Sequence, residues 1–178
     1  MIVGRNHVNQ KKAHFFALRL WGVFVKVTME FRRLSKAFYS KYCYCEEILT
    51  KENRPYYVMI LELDSLTYAI PLRSHITHPY CFIADNSADQ SSGLDYSKAV
   101  VIIDSAKYID PEPITIRQHE FNVFKQREYL IRKQFASYVS SYKKEFSRRQ
   151  KNPALPVSIL CRYSSLKYFH HELGINNW

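Results

Sequence analysis

Residues 56–72, YYVMILELDSLTYAIPL, constrain this chain more than any other stretch. The run YYVMILEL (56–63) is apolar, aromatic and β-branched, which predicts a strand, and Pro55 opens it where a missing N–H is tolerated. Asp64 and Ser65 make a tight turn, and LTYAIPL (66–72) returns as a second strand, so the two form an antiparallel hairpin. YCFIAD (80–85) predicts a third strand and KAVVIID (98–104) a buried one, with NSADQSSGLDYS between them as a polar loop. Ahead of the hairpin, SKAFYSKYCYCEEIL predicts a short helix that Ser35 caps, and KENR a turn.

Past DPEP the period changes. From Gln118 to about Lys151 the apolar residues Phe121, Phe124, Ile131, Phe135, Tyr138, Tyr142 and Phe146 follow helical spacing, with a basic face left exposed. NPALP ends that helix, and a last one runs from about Ser164 to Leu173, with Gly174 as its C-terminal cap. Strands first and helices later predict an α+β fold: a twisted antiparallel sheet flanked by helices, with a long C-terminal helical segment.

A chain of 178 residues with 47% hydrophobic residues and only 4 Gly has the makings of one globular domain. Its 26 basic and 16 acidic residues leave a formal charge of +10. Such a balance points to a polyanionic partner, either nucleic acid or an anionic membrane surface. The 14 Tyr and 11 Phe favour nucleic acid, because aromatic faces stack on unpaired bases. Cys43, Cys45, Cys81 and Cys161 are scattered, which suits a reducing cytosol better than a disulfide framework, and no second metal-spaced pair answers C-x-C.

The first 28 residues carry five basic and no acidic side chains. AHFFALRLWGVFVKVTM is interrupted by Arg19 and falls short of the roughly 20 apolar residues of a membrane span. No small-residue cleavage site follows it, as a signal peptide would require. MEFRRLSKAFY, from Met29, reads as the start of a domain. Residues 1–28 are therefore expected to be an extension outside the core, and 29–178 a single domain.

The candidate chemistry lies in IPLRSHITH (70–78), just past the second strand. Metal-independent RNA cleavage needs the ribose 2′-OH deprotonated, the crowded phosphate stabilised and the departing 5′-oxygen protonated. Arg73 offers a forked donor for phosphate oxygens, Ser74 and Thr77 offer hydroxyls, and His75 and His78 titrate in the useful range. A polar loop, with Ser74 in a side-chain turn, is the competing reading of the same spacing. His75 and His78 lack a third ligand nearby, and the adjacent His170 and His171 point about 100° apart on a helix, so no metal is expected. Asp104, Asp110 and Glu112 read as solvated turn formers, not as a two-metal centre.

RPYYVMILELDSLTYAIPLRSH resembles the core of the toxins of type III toxin–antitoxin systems, the ToxN/AbiQ superfamily, and within it the TenpN-like branch. The shared pattern is Leu61–Glu62 in a strand, the Asp64–Ser65 turn, Tyr68 in the second strand, then Pro71-Leu72-Arg73-Ser74, in register without gaps. GLDYSKAVVIID and VSILCRYSSLKYFHHEL match more loosely, so the resemblance covers about residues 29 to 175.

The resemblance implies a Kid/MazF-like, barrel-like core and a cytoplasmic endoribonuclease that needs no cofactor. Its products would carry 2′,3′-cyclic phosphate and 5′-OH ends. The implied partners are cellular or phage RNA as substrate and an antitoxin RNA of pseudoknot repeats as inhibitor, in defence against phage, with no membrane involved. It places Ser74 at the central catalytic serine and Arg73 where some members have threonine. Ile76 stands where some members have lysine, leaving Arg73, His75 or His78 to supply the basic function. The family's N-terminal tyrosine corresponds to Phe38 or Tyr39, with Tyr39 preferred for its hydroxyl, and a lysine before the first long strand corresponds to Arg54. Ser74 and Arg73 would grip the phosphate, and His75 or Tyr39 would take part in proton transfer. Arg32, Arg33, Lys36 and Arg54, with Thr77 and His78, would contact RNA. The alternatives are a non-catalytic basic RNA-binding protein and a peripheral membrane protein using the basic N-terminus.

Overall fold

A computed structural model describes residues 29–48, 57–86 and 91–175. The expected extension 1–28 and Arg54 lie outside these residues.

The hairpin forms as the sequence dictates. β1 (Glu30–Arg33) pairs antiparallel with β2 (Tyr57–Leu63), and β2 with β3 (Leu66–Ser74). Asp64 and Ser65 take φ of 51° and 63°, the left-handed pair that lets a two-residue turn match the strands' twist. The second strand does not stop at Leu72 but continues to Ser74. Its other edge is shared between β6 (Val100–Ile102), on Thr67–Ala69, and β5 (Ser92–Asp95), on Leu72–Ser74. Pro71 falls between the two partners, where its lack of an N–H leaves no ladder bond missing on that edge. β4 (Cys81–Asp85) completes the six-stranded antiparallel sheet beyond β5.

β5 corrects the polar loop expected for NSADQSSGLDYS. Its four residues are all buried, although the sequence SGLD has one large apolar side chain. Burial there rests on side-chain hydrogen bonds: Ser92 donates to Glu120, and Asp95 accepts from both N–H and Oγ of Ser97. A 3₁₀ turn at Tyr96–Lys98, for which Asp95 is the cap, shortens the expected strand at 98–104 to β6.

Strand alternation puts Phe31, Tyr68, Ile70 and Leu94 on one face. The helices over it are α3 (Gln118–Gln126) and α4 (Glu128–Lys151), seated through Phe31–Phe124 and Tyr68–Phe135 ring contacts at 5.5 and 5.0 Å. These are two helices and not the one expected. The chain breaks step at Arg127 (φ −107°, ψ 12°), whose N–H is shared between the carbonyls of Val123 and Phe124. The opposite face carries α1 (Lys36–Lys41), capped by the Ser35 side chain as expected, and α2 (Ser105–Tyr108). Phe38 and Tyr42 of the α1 region meet at 4.6 Å, and Tyr42 meets Phe169 at 5.4 Å. The expected terminal helix is instead α5 (Ile159–Tyr163), a 3₁₀ turn at Ser165–Tyr168 and a closing turn. Gly174 keeps its expected conformation there, at φ 67°. Among the described residues no helix is long and apolar enough to cross a membrane.

The aromatic core sets an alkaline limit. Burial pushes the Tyr68 phenol up to about 12, and it pushes Tyr96, Tyr138 and Tyr142 higher still. Above pH 10 the unfolded chain loses these protons while the folded chain keeps them, so the unfolded state is favoured. The stability is fully present below pH 10 and falls between there and the folded values. The loss is about 1.4 kcal/mol per pH unit for each tyrosine. Urea midpoints at pH 9 and pH 11 check this, and an unchanged midpoint would contradict it.

Candidate active site at the end of the central strand

The last residues of β3 lie on two faces of the sheet. Ser74 shares a face with Leu72 and Tyr57, and all three line an open cavity of about 290 Å³. Ser92 of β5, the register partner of Ser74, also lines it, together with the segment Thr115–Arg117 and Glu120 in the first turn of α3. Glu120 is a buried acid on a helix whose exposed residues are Gln118, His119, Asn122, Lys125 and Gln126. Its side chain is only 7% exposed. Both its oxygens are occupied: Oε2 accepts from Arg117 Nε at 3.0 Å, and Oε1 accepts from Arg117 Nη2 at 2.6 Å and from Ser92 Oγ at 2.7 Å. Arg117 Nη2 also reaches Ser92 Oγ at 3.2 Å. The carboxylate keeps the Arg117 guanidinium's proton affinity above its ordinary value and fixes its plane through a forked contact.

Arg73 alternates to the other face, though it borders the cavity as well. There its Nη1 donates to Oδ2 of Asp95 at 2.5 Å. Asp95 is wholly buried, and its Oδ1 also lies 3.3 Å from His78 Nε2, a pairing distance without hydrogen-bond alignment. A buried carboxylate at the end of β5 thus faces two cationic or potentially cationic side chains from the β3 end and the loop after it. Nearby, burial and then the Asp95 charge push the Cys81 thiol up, so Cys81 is a poor nucleophile at neutral pH.

Between Ser74 and β4 the chain turns off the sheet through His75, whose φ of 58° is left-handed. For a residue with a Cβ this is an uncommon, strained conformation. Ile76 follows, 6% exposed, with its carbonyl accepting from Ser91 Oγ at 3.0 Å. Ile76 is therefore an apolar anchor of this loop. His75 and Thr77 are exposed, and His75 does not line the Ser74 cavity.

Tyr39 is not beside Ser74. It lines a second, much smaller cavity with Val58, Pro71 and Lys98. The two cavities share no residue, and Val58 and Pro71 point opposite to Tyr57, Leu72 and Ser74. Arg32 is engaged within the protein, paired with Glu30 and donating to the Pro111 carbonyl at 2.7 Å. Arg33 lies 5.6 Å from the centre of the Tyr57 ring, beside the Ser74 cavity. Lys36 is exposed at the start of α1.

The chain matches no family model, and no curated protein or solved structure was found to be significantly similar to it.

Arg117, Glu120, Ser92 and Asp95 escaped the sequence reading. A charged pair at the start of an amphipathic helix is ordinarily solvated, and the i, i+3 spacing of Arg117 and Glu120 was the one local signal. Asp95 was equally discreet: D-Y-S matches a turn in which Asp bonds the N–H two residues on, and that bond forms.

Proposed function

We propose that this protein is a metal-independent endoribonuclease toxin of a type III toxin–antitoxin system, with a Kid/MazF-like core. Its substrates are cellular or phage RNA, and a repetitive antitoxin RNA inhibits it in the cytoplasm as part of phage defence. The observation that carries the reading is the position of Ser74. Its exposed residue ends a rigid central strand at the rim of an open cavity, within the gapless Pro71-Leu72-Arg73-Ser74 match. Arg73 is held beside it by a buried carboxylate.

In the proposed reaction the 2′-oxygen of the ribose loses its proton and bonds to phosphorus. The bond to the 5′-oxygen breaks, and that oxygen takes a proton to leave as a hydroxyl. The products are a 2′,3′-cyclic phosphate and a 5′-OH end, with no water consumed. Ser74 donates to a non-bridging oxygen as charge builds there, and Arg73 supports the same phosphate. His78, 3.3 Å from Asp95, joins His75 as a candidate for proton transfer. Tyr39, across the sheet from Ser74, acts on substrate only if the RNA wraps the end of β3.

Purified protein incubated with RNA and excess chelator should yield cyclic-phosphate fragments. Ser74→Ala should slow cleavage by about 10²–10³-fold while leaving RNA affinity nearly intact. Cleavage at the wild-type rate would demote Ser74 to a structural role. RNA binding without any cleavage by the wild type would favour the non-catalytic module.

A further inference from the structure

Ile76 does not line the Ser74 cavity, but Arg117 does, and so brings a cation to it. We propose that Arg117, fixed by the buried Glu120 carboxylate, holds a phosphodiester against the Ser74 hydroxyl and supplies positive charge to it. The catalytic part of this proposal rests on the endoribonuclease reading above; the phosphate site stands on the geometry alone.

Three observations converge. Arg117 and Ser74 line the same open cavity, one ahead of α3 and one at the end of β3, and Arg117 reaches Ser92, the strand partner of Ser74, at 3.2 Å. The Arg117 side chain is 58% exposed although its Nε and Nη2 are fully committed to Glu120 and Ser92. Its Nη1 makes no hydrogen bond among the described residues, so the committed edge faces inward and a donor edge is left for a ligand.

The Glu120 charge does not cancel that edge. Oε1 accepts from Arg117 and Ser92 and Oε2 from Arg117 alone, and the side chain is only 7% exposed. Glu120 itself borders the cavity and the Asp85 charge also reaches Arg117, so an anion is held by the uncommitted guanidinium edge and the Ser74 hydroxyl against these two carboxylates. The anion would also find Arg33 beside Tyr57 and the remaining guanidinium nitrogens of Arg73, one of which is spent on Asp95. Arginine is the suitable residue for this task, because its planar fork meets two phosphate oxygens at once. An arginine remains protonated throughout the reaction. Its part is therefore charge stabilisation at the non-bridging oxygens and not proton transfer. Glu120 touches no substrate and is a positioning residue: it sets the guanidinium plane.

The first arm of the test uses inorganic phosphate, titrated into the full chain and followed through the amide resonances of Ser74, Ser92 and Gly93. Saturable shifts are expected for the wild type and for Arg117→Lys, and none for Arg117→Ala. Equal shifts in wild type and Arg117→Ala, or none in the wild type, would overturn the phosphate site. The second arm is single-turnover RNA cleavage in chelator. Arg117→Ala should be slower by about 10²-fold, and added guanidinium ion should restore part of the rate, which a misfolded variant could not show. Glu120→Gln should lower the rate about tenfold in the wild-type background and not at all in Arg117→Ala. An additive loss would make Glu120 merely structural and would overturn its positioning role. If Ser74→Ala abolishes cleavage while Arg117→Ala cleaves at the wild-type rate, the endoribonuclease reading stands and the catalytic role of Arg117 falls. If the wild type does not cleave but its phosphate shifts disappear in Arg117→Ala, the endoribonuclease reading falls and the phosphate site stands.

Discussion

Gly93→Ala should be the most destabilising single change in the sheet. Gly93 lies between two strands, opposite Arg73 of β3 and Ile83 of β4. A Cβ built on it would sit 1.9 Å from the Phe82 carbonyl oxygen and 2.9 Å from the Ile83 Cα. Both are backbone atoms in a paired strand, so neither can swing aside as the end of a side chain would. Relief requires β4 to part from β5, in a sheet already irregular there between Ile83 and Asp85. The destabilisation should be about 4 kcal/mol or more, beyond the usual range for a single methyl group because the clash is with a main chain. Urea unfolding followed by circular dichroism measures it. A midpoint within experimental error of the wild type would show that the two strands pass Gly93 with room to spare.

Asp95→Asn should be the next most damaging change, at nearly constant volume. The wholly buried carboxylate accepts from Ser97 twice and from Arg73. An amide presents two N–H donors where at least one neighbour also donates, and it leaves the Arg73 charge without its counter-charge. Breaking a buried pair costs about 3–5 kcal/mol, and Arg73, with a side chain 30% exposed, recovers some of this from water. A loss of about 2–4 kcal/mol is expected. Arg73→Met should erase part of that loss when the two changes are combined, since it removes the stranded cation. Strict additivity of the two would mean that the 2.5 Å contact contributes nothing of its own. Cleavage, under the proposed function, should fall with Asp95→Asn even at temperatures where the variant is folded, because Arg73 loses its anchor.

The hairpin was legible because every local signal agreed. β-branched runs flank a two-residue turn whose Asp and Ser tolerate left-handed φ, and the observed turn has that geometry. β5 was not legible because its burial has no hydrophobic signature: Ser92, Gly93 and Asp95 are buried through hydrogen bonds and through the closeness of β4. The break at Arg127 was hidden for a different reason. Phe124 and Ile131, on either side of it, are both fully buried and lie seven residues apart, a spacing that also suits an unbroken helix. The site divided in the same way. Ser74 and Arg73 announced themselves by type and place in the sequence. Glu120 meets Ser92 across 28 positions, a proximity that only the packing of α3 against the sheet creates.

β1 and β4, the outermost strands of the main path, have a consequence for how this protein behaves at high concentration. β1 is four residues long and carries Glu30, Arg32 and Arg33. Its outer side is already met by the chain itself: Leu34 bridges Ile109, and Asp110 donates its N–H to the Arg33 carbonyl at 2.9 Å. β4, at the other side, is five residues long and its register with β5 shifts at the Ile83–Asp85 irregularity. Short, charged or irregular edges are poor templates for a further strand. Among the described residues, neither end of the sheet offers a long flat ladder on which a second copy could start a fibre.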